Sequence, residues 1–103
     1  MFRRDADLIG CFATSKCGHD AGECYVIVSA AGNMLHVANG KNRPIHKPKK
    51  KNRVHLFVTR QAVPGIRLLL NGEPISSNLK LAGHISDYKK RTEQAAAVKS
   101  PRM

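Results

Sequence analysis

Short apolar runs separated by turn residues dominate the first sixty positions. Residues 8–14 (LIGCFAT) are apolar around Gly10, and residues 23–30 (ECYVIVSA) are rich in β-branched and aromatic side chains. Residues 34–38 (MLHVA) follow the turn Ala31-Gly32-Asn33 and end at Asn39-Gly40, a strong turn signal. Residues 53–59 (RVHLFVT) alternate again. These four runs predict strands, because such side chains fit a pleated, half-buried surface and the clusters between them break regular structure. Gly10 predicts a bulge or a close backbone approach in the first strand. Residues 15–22 (SKCGHDAG) predict a loop. Residues 41–52, with Pro44, Pro48 and a lysine run, are expected to form no regular element. Residues 66–70 (IRLLL) fit a short strand or a helical turn equally well.

After Pro74 the period changes. Leu81, Ile85, Tyr88 and Thr92 fall at helical spacing and predict a helix over 77–94, with Ser77 or Asn78 as N-cap. Gly83 inside it costs about 1 kcal/mol relative to alanine. The organisation expected is an arm over 1–7, a barrel over 8–60, a connector over 61–76, the helix, and a flexible basic tail over 95–103. Four short strands at about ten-residue spacing argue for a small antiparallel barrel or sandwich, and closure would remove exposed edges. The interior set expected is Ile9, Cys11, Cys24, Val26, Val28, Leu35, Val37, Val54, Leu56 and Val58. The opposite face would then carry Phe12, Tyr25, Ile27, His36, His55 and Phe57. A one-residue slip exchanges the two sets. That outer face is apolar enough to need cover from the helix or a partner.

Charge sharpens the reading. The 103 residues hold 18 Lys+Arg against 7 Asp+Glu, a net charge of +11. No acid lies between Cys24 and Gly72, where nine bases lie, and seven of these fall within residues 41–53. Like charge at that density repels itself unless a polyanion neutralises it, so the stretch reads as a phosphate-contact surface. Lys49, Lys50 and Lys51 follow Pro48 with no apolar neighbour and are expected to project into solvent. Aromatics make up 5% of the chain and tryptophan is absent, which argues against a large aromatic ligand cage. No apolar run is long enough to span a membrane, and no stretch of signal-peptide character follows residues 1–5. With three cysteines, an odd number, the expectation is a cytoplasmic protein with reduced thiols.

Catalytic chemistry finds little footing. Cys11, Cys17 and Cys24 lack C-x-x-C spacing, and zinc would require a fourth ligand such as His19. Cys11 and Cys24 fit strand positions as small buried hydrophobes. The histidines, His19, His36, His46, His55 and His84, are scattered. No glycine-rich loop opens a helix, and no acid pair suggests general acid–base work. The expectation is no catalytic residue, no metal and no cofactor.

Residues 10–22 (GCFATSKCGHDAG) followed by ECYVIV resemble the KOW motif: a strand, a loop with a lysine and a terminal glycine, and a second strand. The continuation VANGKNR at 37–43 and KPKKKNRVHL at 47–56 is similar to the small bacterial KOW-domain RNA-binding proteins. Those are related to a large-subunit ribosomal protein family (number fourteen) of eukaryotes and archaea. The resemblance covers residues 6–60. It implies an SH3-like β-barrel that binds RNA or the ribosome and performs no catalysis. Gly10, Lys16, Asp20 and Gly22 match the KOW loop. Lys41, Arg43, Lys47, Pro48, Lys49, Lys51, Asn52, His55 and Leu56 match the second block. His19 stands where an arginine is expected. Asn39 stands where an aspartate is usual.

The expected function is an RNA-binding module, directed at ribosomal RNA, with ribosomal proteins as further neighbours and neither a membrane nor a small-molecule substrate as partner. The expected contacts are Lys16, His19, Lys41, Arg43, Lys47, Lys49, Lys50, Lys51, Arg53 and His55. Gly10, Asp20, Gly22 and Gly40 would serve the backbone. The alternative is an SH3-like protein-docking module for a translation or transcription factor, for which exposed aromatics are few.

Overall fold

Five antiparallel strands form one sheet in the order β4-β3-β2-β1-β5. They are β1 (Cys11–Ser15), β2 (Cys24–Ala31), β3 (Met34–Ala38), β4 (Lys49–Asn52) and β5 (Leu56–Ala62). A 3-10 turn, Arg53–His55, links the last two. A short helix α1 (Asp5–Leu8) precedes the sheet; α2 (Ile66–Leu70) and the long α3 (Pro74–Lys99) follow it. The computed structural model describes residues 5–99, with side chains through Thr92. The fold is mainly β, SH3-like in strand order, with a C-terminal helix as the sequence implies. It is not closed by hydrogen bonds: β4 and β5 are the two edges, joined by the 3-10 turn and not by a ladder.

Several boundaries move for identifiable reasons. Residues 41–52 do contain a regular element. β4 pairs with β3 through Val37↔Lys49, His36↔Lys50, Leu35↔Lys51 and Met34↔Asn52. A ladder needs only backbone groups, so three consecutive lysines pair as readily as apolar residues once the edge of β3 is offered. Residues 53–55 are not strand, because Asn52 Oδ1 accepts from the Val54 N–H at 3.0 Å and caps a turn. β5 consequently starts at Leu56. The arm is partly ordered as α1, which buries Leu8, while residues 1–4 lie outside the described residues. Residues 66–70 are helical. α3 starts at Pro74 rather than at 77, since proline suits a first helical position, and Glu73 Oε1 accepts from the Ser76 N–H at 2.8 Å. Neither Ser77 nor Asn78 is the cap. Of the expected tail, residues 95–99 belong to α3 and 100–103 lie outside the described residues.

The core lies on both faces of the sheet. On one face Leu8, Cys11, Ala13, Tyr25, Ile27, Leu35, Val37 and Leu56 pack together. On the other face Phe12, Cys24, Val26 and Ala38 pack against Val63, Leu69, Leu81, Ile85 and Tyr88. The expected interior set therefore holds for β1, β3 and β5 but is slipped by one residue in β2: Tyr25 and Ile27 point inward, and Cys24, Val26 and Val28 point to α3. A run apolar at every position carries no period-2 signal to set its phase. Phe12 stacks on Tyr88 with ring centroids 4.2 Å apart and planes at 8°. Val54, expected inside, is 68% exposed because the 3-10 turn lifts it away from the sheet. Gly10 shows the close approach that was expected: a Cβ there would lie 3.0 Å from Ile66 of α2, and the β1–β5 register shifts between Cys11 and Ala13. Among the described residues, no helix is long and apolar enough to cross a membrane.

Candidate nucleic-acid interface

β1 and β3 both run antiparallel to β2, so the loops that follow them, residues 16–23 and 39–48, leave the same end of the sheet. Each is an ordered turn. In the first, the Gly22 N–H donates to Ser15 O at 2.9 Å and the Glu23 N–H to Asp20 O at 2.9 Å, with Gly18 and Gly22 at positive φ. In the second, buried Asn39 organises the chain: its Oδ1 accepts from the N–H groups of Lys41 (2.9 Å) and Arg43 (3.0 Å), and its Nδ2 donates to Asn42 Oδ1 at 2.8 Å. An aspartate would supply only the acceptor half of this arrangement. Gly40, at φ +79°, lies directly against the Asn78 carbonyl of α3, where a Cβ could not fit. Asn78 Oδ1 also accepts from the Ile45 N–H at 2.8 Å, so α3 braces this loop.

Asp20 joins the two loops. Its Oδ1 lies 2.6 Å from Lys51 Nζ and 2.9 Å from Ser15 Oγ; its Oδ2 accepts from Tyr25 Oη at 2.7 Å and from Lys49 Nζ at 3.0 Å. Lys51 Nζ also donates to Cys17 O at 3.2 Å. Burial alone would raise the Asp20 carboxyl, but hydrogen bonds from Lys51, Tyr25, Lys49 and Ser15 outweigh it and hold its pKa far below the usual carboxylate range. The Tyr25 hydroxyl is pushed the other way, by burial first and then by its bond to Asp20.

Strand alternation decides which lysines are available. Lys49 and Lys51 stand opposite the inward-facing Val37 and Leu35, so both turn toward Asp20, and Lys51 is buried. Lys50, opposite His36, faces out and is exposed. The expectation that all three project into solvent is thus corrected. Arg53 is also engaged: its Nη2 donates to Asp5 Oδ1 (3.1 Å) and to Gly32 O (2.8 Å) near the β2–β3 turn, away from both loops. Lys16, His19, Lys41 and Lys47 are exposed, Arg43 is half-buried, and none has a side-chain partner among the described residues. His55 is exposed, and its carbonyl accepts from the Lys16 N–H at 2.8 Å, so it borders the first loop. Of the backbone positions, Gly10 serves packing on α2, Gly22 the loop turn and Gly40 the seat of α3.

Sequence reading missed the buried half of the lysine run and the role of Tyr25. Part of the signal was available: a buried tyrosine needs a hydroxyl partner, but the lysines that meet Asp20 lie 29 and 31 positions away. It also missed Lys89 and Lys90 of α3. They border a groove with Lys41, Glu23 and Cys24. Burial raises the Cys24 thiol to about 11, so it is inert, whereas Cys17 is exposed. No protein-family model matches this chain, and no curated protein matches it either.

Proposed function

We propose that the protein is an RNA-binding module of KOW type that contacts the phosphate backbone of ribosomal RNA through the loops 16–23 and 39–48, and acts in the cytoplasm without catalysis. The observation that carries this reading is the convergence of two braced loops at one end of the sheet, presenting Lys16, Lys41, Arg43 and Lys47, with Lys50 on the adjoining strand. Of the two acids in these loops, Asp20 is saturated by Lys49 and Lys51, so only Glu23 remains against five outer bases. Such a surface lowers its self-repulsion by taking up a polyanion. Ordered loops lose less conformational freedom on binding than mobile ones. Lys49 and Lys51 support the surface from behind rather than touching RNA, and Arg53 is engaged elsewhere by Asp5 and Gly32. Titration with ribosomal RNA at increasing salt tests the reading. About four phosphate contacts on irregular RNA give a log–log slope near −3. A slope near zero, or no binding at low salt, rejects it.

A further inference from the structure

The groove between α3 and the sheet, about 280 Å³, is bordered by Lys41 from the second loop, by Ser86, Lys89 and Lys90 from α3, and by a single acid, Glu23. Cys24 lies at its floor and stands opposite Thr14 on β1; Thr14 in turn stands opposite Phe57 on β5. Directly paired residues share a face, so Phe57 projects on the α3 side, two strands or roughly 10 Å from the groove floor. It is 63% exposed, while Phe12, Tyr25 and Tyr88 are buried, which makes it the one exposed phenylalanine or tyrosine ring among the described residues. An exposed ring beside a cationic groove matches single-stranded nucleic acid: ammonium groups follow the phosphates and an unpaired base stacks on the ring. A duplex keeps its bases stacked on one another and offers none to Phe57.

We propose that a single-stranded segment of RNA lies along this groove, its phosphates on Lys41, Lys89 and Lys90 and one base stacked on Phe57. This rests on the RNA-binding reading and adds a strand path and a base contact that the two loops do not supply. Ser86 can donate to a phosphate oxygen at the groove's mouth. The Cys24 thiol at its floor is neutral at physiological pH and does not repel the chain.

The chain contains no tryptophan, so Phe57→Trp installs a sole tryptophan, which can be excited apart from Tyr25 and Tyr88, at an exposed position that tolerates it. The variant is titrated with short oligoadenylate, an abasic oligomer of equal length, and a blunt RNA duplex. The expected result is fluorescence quenching by oligoadenylate and none by the other two. Lys89→Ala with Lys90→Ala in the same background should weaken oligoadenylate binding about tenfold, as for two exposed ionic contacts. If oligoadenylate binds with unchanged fluorescence, or the double lysine variant binds it like its parent, the groove proposal is overturned while RNA binding by the loops stands. If the native protein binds neither oligoadenylate nor ribosomal RNA, the functional reading falls and the groove proposal with it.

Discussion

Lys51 Nζ lies 2.6 Å from Asp20 Oδ1, a contact between residues 31 positions apart that fastens edge strand β4 to the loop between β1 and β2. It divides a run of identical residues into two kinds. Lys51→Ala leaves a largely buried carboxylate short of its nearest cation, and loss of one partner from a buried pair costs about 3 kcal/mol. Lys50→Ala, one residue away, should stay within about 0.5 kcal/mol of the parent. Urea melts of the two single variants check the split. Equal stabilities would show that the pair does not hold β4.

The same carboxylate sets an acid limit. Its folded pKa lies far below its ordinary value of 3.8, so its contribution is complete above that value. As pH falls through and below it, the unfolded chain takes up a proton that the folded chain refuses, and stability declines. Between pH 6 and about pH 2 the parent should therefore lose stability more steeply than Asp20→Asn, which starts lower because Lys49 and Lys51 lack their counter-charge. Parallel stability–pH curves would contradict this.

Two glycines separate conformation from contact. Gly22 has φ +90° with open space around it, so Gly22→Ala costs only the left-handed backbone, about 1–2 kcal/mol, and Gly22→Val somewhat more. Gly40 has φ +79° and also abuts the α3 backbone at Asn78 and Ala82. Gly40→Ala must displace the helix and should destabilise by clearly more than Gly22→Ala in thermal melts.

Thiol titration reads the core. Cys17 is exposed and Cys11 and Cys24 are buried, with Cys24 raised to about 11. At pH 8 one thiol should react promptly with an aromatic disulfide reagent in the native protein, and three after denaturation. Three prompt thiols without denaturant would contradict the packing of α3 on β2.

The strands around Val26, Leu35 and Phe57 were legible because their apolar and β-branched residues sit between glycine and asparagine turns. The phase of β2 was not, since Cys24 to Val28 is apolar at every position and both faces are buried. β4 was hidden for the opposite reason: it has no apolar residue, and its pairing comes from the free edge of β3. In the candidate site, the outward bases Lys41, Lys47 and Lys50 followed directly from charge density, and Lys16 from the resemblance to the KOW loop. That Lys49, Lys51 and Arg53 are engaged internally depends on strand alternation and on Asp5 and Asp20, long-range facts that a local charge count does not hold. Phe57 read as one member of an outer face; only the placement of α3 over Phe12 and not over Phe57 isolates it.

The central claim is that the outward bases of the two loops, and not the lysine run as a whole, bind RNA. Its most direct measurement is a salt-resolved ribosomal RNA titration of a variant carrying Lys16→Ala, Lys47→Ala and Lys50→Ala, with a thermal melt of the same sample. None of the three has a side-chain partner among the described residues. The account predicts an unchanged melt, affinity reduced by about tenfold or more, and a salt slope shallower by about 2, the loss of three phosphate contacts. Parental affinity with the parental slope would contradict it.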